Sequence, residues 1–372
     1  MHLFSSGTAR GGTGLPVNIL GAHTKISISQ DPFLPVWKHY RSDVLNQYNI
    51  ANIPYNKPLE DYYYSRDKTK QLDIIQTSEL SKVKVSGLDR LKAEMLPRVS
   101  LASANLIDFL DIIDGSDYYS LIESCLKTIS CGWNKPTTEI YGFNENWTIE
   151  FFPAIAKAYP SAKFIVYIRD VRAAISSHIK LLQKNPNSNA SVALVMSFAR
   201  SWRKHIALTV KYINDPLFEG RIRVVNYEEL VKEPKRQVQS ICEYLGVEYQ
   251  ESMICTDNFK MGTGGKWKVN SNYNSAPSKG IFTESIDKWK DILSVDILAL
   301  IEVVTGAELQ KLGYKLYTEK TDEIYKKATE FHIKDSSTCV GWRNDSGNCL
   351  EDMALEHYRQ ECIKEKNWTS SD

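Results

Sequence analysis

The first twenty residues constrain the fold most. His2-Leu3-Phe4-Ser5-Ser6 is a short, largely apolar run, followed by the glycine-dense octet Gly7-Thr8-Ala9-Arg10-Gly11-Gly12-Thr13-Gly14 and then by Leu15, Val17, Ile19 and Leu20. An apolar run, a tight turn and renewed helical spacing read as strand, loop and helix. Such a turn aims backbone N–H groups at one point in front of a helix N-terminus, which suits an anion and phosphate above all. Gly7 and Gly12 keep the spacing of a nucleotide-binding P-loop, but Thr13 and Gly14 stand where an NTPase carries Lys and Ser/Thr. Without that lysine and that Mg²⁺-binding hydroxyl, the loop is expected to hold a nucleotide other than ATP or GTP. Taken alone, the same residues also fit an ordinary glycine-rich turn.

At 372 residues the chain has room for a large core, in one big domain or two smaller ones. Its 46 basic and 45 acidic residues leave a net charge of +1, so nothing marks a polyanion-binding surface and nucleic acid is not an expected partner. No apolar run reaches the ~18 residues of a membrane span. The N-terminus lacks the basic segment of a signal peptide, which makes a cytoplasmic location the expectation.

Seven cysteines are scattered without a C-x-x-C pair or a Cys/His metal spacing, so no metal is expected. Cys125, Cys131, Cys242 and Cys255 read as small apolar residues, whereas Cys339, Cys349 and Cys362 leave a disulfide in the tail open. The sequons at Asn146, Asn189, Asn344 and Asn367 matter only in a secreted protein.

Beyond the first helix, strand patterns recur at 25–29, 138–143, 162–168 and 221–227, separated by helical patterns at 118–129, 147–158, 171–182, a helix ending near 213, and 228–245, this last interrupted at Pro234. Strands alternating with helices predict an α/β fold with a parallel sheet covered on both faces. Residues 36–98 are polar and aromatic, and read as a helical insertion after the second strand, either a substrate cap or a structural layer. Ligands of such sheets bind beyond the carboxyl ends of the strands. That rule selects Ser5 to Gly14, Asn144 and Glu145, Arg169 and Asp170, and Tyr227 for one crevice. Arg169 ends an apolar strand and Ser177 follows eight residues later on the next helix, so the two suit one phosphate. An ion pair between Arg169 and Asp170 is the structural alternative.

On these residues the chain resembles the sulfotransferases that use 3′-phosphoadenosine 5′-phosphosulfate (PAPS). Arg10-Gly11-Gly12-Thr13-Gly14 resembles the family's loop for the 5′-phosphosulfate. Phe164 to Asp170 with Ser177 resembles its 3′-phosphate signature, and Phe152 to Phe164 its lead-in. Val225 to Leu230 with Pro234 resembles the element after the next strand. Ser285 to Trp289 and Lys311 to Tyr314 resemble closing elements of the tyrosylprotein and carbohydrate branches. The matches run in family order from residue 2 to about 317.

The resemblance implies a three-layer, P-loop-like domain over 1–317, with a helical tail over 318–372. It implies a nucleotide donor held by Arg10, Gly11, Gly12, Thr13, Gly14, Arg169, Ser177, Tyr227, Ser271 and Lys288, with Trp267 either stacking on adenine or packing its own loop down. No metal is required. Arg10 stands near the transferred sulfuryl group. Asn144 occupies the place of the family's usual catalytic lysine, which leaves Arg10 as the main cation or calls for another from the insertion, Lys92 or Arg98. Glu145 is the favoured general base and Glu94 the runner-up. His178 is read as helix packing or a nucleotide-side contact. The implied function is transfer of a sulfuryl group to a hydroxyl acceptor, carbohydrate or glycoconjugate, and oligomeric state stays open. A nucleotide-dependent kinase and a PAPS-binding protein without turnover are the alternatives.

Overall fold

In the computed structural model the structure is described for residues 1–50, 66–183, 192–265, 267, 280–318, 323, 324 and 326. Ser271, the polar break at 185–189, and the tail with its three cysteines and the helical pattern at 350–364 lie outside the described residues. The described residues divide into two compact units. One holds 1–50, 70–169, 208–265, 267 and 280–283, and the other 66–69, 170–183, 192–207, 284–318, 323, 324 and 326.

The first unit contains the entire sheet. β1 (His2–Gly7), β2 (Ile26–Gln30), β3 (Ile140–Asn144), β4 (Lys163–Ile168) and β5 (Ile222–Asn226) run parallel in the order β2-β3-β1-β4-β5. The fold is thus α/β, a parallel five-stranded sheet flanked by helices, as the strand and helix patterns predict. β1 sits at the centre, and Phe4 meets Phe143 and Phe164 on its two neighbours in register. Their rings pack with centroids 5.3 and 5.9 Å apart, forming an aromatic row across the sheet.

α1 (Gly14–Gly21) leaves the glycine loop and packs on β2. It is followed by α2 (Leu34–Gln47), α3 (Arg66–Thr77), α4 (Leu88–Ala102), α5 (Tyr118–Trp133) and α6 (Phe152–Ala158). α5 is set by its ends: Asp117 and Ser120 form a reciprocal capping box, and Asn134 closes the helix in the left-handed region. The helical pattern at 147–158 resolves into a 3₁₀ turn, Thr148–Phe151, and α6.

Trp37 of α2, fully buried, stacks on Phe151 at 5.1 Å and leans on Phe143 of β3, so α2 is fastened to the sheet through aromatic contact. α4 is tied to α2 in turn, Glu94 lying 3.4 Å from His39.

β4 and β5 lead into the remaining helices, α7 (Val171–Gln183), α8 (Val192–Ile213), α9 (Tyr227–Lys232), α10 (Pro234–Leu245) and α11 (Val295–Lys311). Asn226 caps α9 at the very end of β5, its side chain accepting from the Glu229 N–H at 3.0 Å. Pro234 then starts α10, which ends at Gly246 with φ 72°, so the predicted interruption separates two helices.

The second unit is centred on Arg172 of α7. Its guanidinium chelates Asp170, reaches Glu302 of α11 at 2.6 Å and the Lys315 carbonyl at 2.8 Å, and lies over the Trp289 ring at 4.4 Å. Among the described residues no helix is long and apolar enough to cross a membrane.

Candidate functional site

Within the first unit the carboxyl ends of the strands carry the residues that the strand-end rule selects, except Asp170, which falls in the second unit. The glycine loop closes on itself through the Gly11 N–H, which donates to the Thr8 carbonyl at 2.8 Å. Arg10 takes φ 60° and Gly12 φ 79°, so the backbone turns twice through the left-handed region in three residues. Gly12 is required for a second reason: a Cβ there would lie 2.4 Å from the Tyr227 ring. Tyr227, at the end of β5, is thereby laid against the loop. Arg169, at the end of β4, stacks on that ring with its guanidinium carbon 4.5 Å from the centroid, and donates to the Arg10 carbonyl at 3.2 Å.

Arg10, Gly12, Arg169 and Tyr227 are therefore one contact group. A Cβ on Gly14, by contrast, would meet nothing within 4 Å among the described residues, so the start of α1 is open with respect to them. Thr13 is nearly buried, and its hydroxyl accepts from Gln30 Nε2 at 3.2 Å.

The ends of β2 and β3 form a second group, rich in carboxylates. Asp31 follows β2 with φ 47°, its N–H donating to the Asn144 carbonyl at 2.8 Å. Asn144 is wholly buried. Its amide nitrogen donates to Asp31 Oδ1 at 3.3 Å, and its amide oxygen accepts from Ser5 at 3.3 Å. Glu145 is also wholly buried and accepts the Phe33 N–H at 2.5 Å, just ahead of α2. Its other oxygen has no hydrogen-bond partner among the described residues and lies 3.9 Å from Arg98 Nη2.

Burial, with the neighbouring Asp31 adding to it, pushes the Glu145 carboxyl up to about 8, against the opposing Arg98 charge and the backbone N–H groups of Phe33 and Leu34. Burial raises Asp31 as well, opposed by Arg98, Gln30 and Asn144. The two differ in access: the Asp31 side chain is 20% exposed and that of Glu145 not at all.

Arg98 comes from α4 in the inserted segment. Its Nε–H donates to the Asp31 carbonyl at 3.1 Å, and Nη2 lies 3.9 Å from Asp31 Oδ2. Glu94, one turn earlier, is instead engaged by Arg90 at 2.9 Å and by His39. The Lys38 amine of α2 lies over the Trp147 ring at 5.6 Å and is held below its usual pKa by burial, then by the charges of Arg98 and Arg41, with Glu94 and Glu145 opposing.

The other candidates are placed as follows. Ser177, on α7, and Lys288, in the 3₁₀ turn Lys288–Asp291, belong to the second unit, the first buried and the second half-buried. His178 packs on Phe198 with ring centroids 4.9 Å apart. Trp267 packs edge-on against Phe259 at 5.6 Å, which is the packing alternative for that residue. Gly262, at the start of its loop, accepts from the Asn105 N–H at 2.7 Å. Asp170 is chelated by Arg172.

Asp31 is absent from the strand-end set predicted from the sequence, although the same rule applied to β2 selects it.

A family model described as Sulfotransferase family matches residues 3–251. The chain belongs to the sulfotransferase family. It is 29% identical to a putative protein-tyrosine sulfotransferase of Caenorhabditis briggsae over 178 residues, which are 47% of this chain and 61% of that protein. To the corresponding Caenorhabditis elegans protein it is 27% identical over 179 residues, 47% and 66% of the two chains. To carbohydrate sulfotransferase 1 of Rattus norvegicus it is 30% identical over 107 residues, 28% and 24% of the two. The chain thus spans less than two thirds of the length of each of these relatives. Among solved structures, the sulfotransferase domain from the Synechococcus PCC 7002 olefin synthase superposes with a TM-score of 0.50 at 14% identity, covering 85% of this chain and 95% of that one. At that identity the match speaks for the fold alone.

Proposed function

We propose that this sulfotransferase-family chain moves a sulfuryl group from PAPS to a hydroxyl acceptor and releases adenosine 3′,5′-bisphosphate. The observation that carries the reading is the contact group of Arg10, Gly12, Arg169 and Tyr227, in which the left-handed loop, the strand-end guanidinium and the aromatic ring meet. The loop residues fit a phosphate: the start of α1 is open at Gly14, and the turn presents backbone donors with Arg10 beside them. PAPS, when bound, supplies the sulfuryl group and a phosphate-stabilised leaving oxygen.

Gly12 to Gly14 would give the 5′-phosphate its backbone donors, with the Thr13 hydroxyl beside them, while the Gly11 N–H is spent on the Thr8 carbonyl and shapes the turn. Arg169 is assigned to the 3′-phosphate, and Ser177, Lys288 and Ser271 join the nucleotide set on the strength of the sequence motifs. For the acceptor proton we assign Asp31, the exposed member of the carboxyl pair, with buried Glu145 behind it and Asn144 orienting it through the 3.3 Å amide bond. Glu94, held by Arg90 and His39, is a weaker candidate.

A carbohydrate or glycoconjugate hydroxyl is the acceptor we favour. The longer matches to relatives named for protein tyrosine support a tyrosyl hydroxyl as the second reading. A thermal-shift titration tests the donor assignment. Adenosine 3′,5′-bisphosphate should raise the melting temperature in proportion to ligand linkage, while ATP with Mg²⁺ should not. No shift at saturating bisphosphate would remove the proposal, and a shift with Mg·ATP alone would favour a kinase.

A further inference from the structure

Resting on that reading, we propose that Arg98, delivered by α4 of the inserted segment, is the residue that binds the sulfuryl oxygens at the transfer centre. The strand ends themselves supply carboxylates and an amide at this edge, Asp31, Glu145 and Asn144, and the amide is already engaged by Ser5 and Asp31. An anionic group transferred beside two acidic side chains requires a fixed positive charge close by. Arg98 meets this requirement by geometry. Its Nε–H is anchored on the Asp31 carbonyl at 3.1 Å, which fixes the plane of the guanidinium. Nη2 stands 3.9 Å from an oxygen of each carboxyl group, close beside both and too far for a hydrogen bond to either.

The terminal N–H groups are therefore not consumed by those carboxylates, and the side chain is 28% exposed. An arginine anchored through Nε and presenting its terminal nitrogens is suited to two oxygens of one tetrahedral anion. The titratable groups facing it are Asp31 from the end of β2, Glu145 from the end of β3, and Lys38 from α2. Asp31 accepts the proton of the acceptor hydroxyl as the new bond from its oxygen to sulfur forms. The bond from sulfur to the bridging oxygen breaks, and that oxygen keeps the electron pair and leaves on the bisphosphate. Arg98 would carry the sulfuryl charge through this exchange, while the donor's nucleotide end is held elsewhere, at Arg169 and the loop.

The experiment uses the full chain and needs no identified acceptor, because water can take the sulfuryl group: release of sulfate from labelled PAPS is followed beside calorimetric binding of adenosine 3′,5′-bisphosphate. Arg98→Gln is expected to bind the bisphosphate within about twofold of the parent while sulfate release falls on the order of 10²- to 10³-fold, the usual cost of one oxyanion donor. Added guanidinium ion should restore part of the turnover of Arg98→Ala, and Arg98→Lys should retain more turnover than Arg98→Gln. A turnover within threefold of the parent in Arg98→Gln would overturn the proposal. So would a parallel loss of bisphosphate binding in both Arg98→Gln and Arg98→Lys, which would make Arg98 a structural tie. Failure of the unaltered protein to bind the bisphosphate would instead strike the donor assignment on which the proposal rests.

Discussion

The backbone at Arg10 and Asp31 is left-handed, and neither residue is of the kind that adopts that conformation without cost, Arg less so than Asp. Among the described residues the other non-glycine positions with positive φ are two asparagines, Asn49 and Asn134. Strained residues after β1 and β2, the two strands that flank β3, point to a working site. Gly12 completes the turn, and Gly12→Ala should both strain φ and drive the Tyr227 ring away from the loop. The expected outcome is a loss of about 1–3 kcal/mol in urea unfolding and a bisphosphate affinity at least roughly tenfold weaker. Unchanged affinity would mean that the loop does not hold the nucleotide. Glu145 makes a separate expectation. Folded, it keeps its proton up to about 8, whereas an unfolded glutamate releases it near ~4.3. Its folded pKa is thus raised, so its share of stability is fully present below the unfolded value and is lost as pH rises to about 8. Glu145→Gln cannot ionise and should gain on the parent by on the order of a few kcal/mol between roughly pH 4.5 and 8. Unfolding midpoints that keep a constant separation over that range would contradict the burial argument.

At the scale of elements, much was legible because the signals are local. Strand runs such as Phe164 to Ile168, the Pro234 break and the glycine loop each bias the backbone without help from distant residues. What could not be read were groupings made by distant parts of the chain. Nothing local in the helix carrying Leu88 to Ala102 says that Arg98 will meet Asp31 and Glu145; that depends on Trp37 fastening α2 to the sheet and on α4 packing against α2. A distant contact also sets where α4 ends: it stops at Ala102 and a 3₁₀ segment, Ala104–Ile112, follows, with Ser103 turned to donate to the Gln30 carbonyl at 2.8 Å. The sheet itself has one strict requirement, Gly142 on β3, where a Cβ would lie 2.0 Å from the Leu3 carbonyl oxygen of β1. Gly142→Ala must part β1 from β3, and should cost at least ~2 kcal/mol in urea unfolding. A cost below about 0.5 kcal/mol would mean that the two strands tolerate wider spacing.

For the molecule as a whole, each compact unit has its own means of holding charge. In the second unit Glu302 accepts from Arg172, from the Tyr317 and Thr318 N–H groups and from the Thr318 hydroxyl, so a single buried carboxylate pins the segment after α11. Glu302→Ala leaves Arg172 paired with Asp170 alone and takes the acceptor from the Tyr317 and Thr318 donors, and should destabilise by about 1–3 kcal/mol, read from chemical unfolding. In the first unit the charge is concentrated at the sheet edge, where the proposed division of labour lies. In that proposal Arg169 would bind the donor and Asp31 would handle the acceptor's proton. Family membership bears on the reaction class, while that division is particular to these residues. Its most direct measurement pairs equilibrium binding of adenosine 3′,5′-bisphosphate with transfer of labelled sulfate from PAPS, in the parent, Arg169→Ala and Asp31→Asn. Arg169→Ala should lose most of the binding, and Asp31→Asn should bind as the parent does while transfer falls on the order of 10²-fold or more. Binding that survives Arg169→Ala, together with transfer that survives Asp31→Asn, would contradict the account.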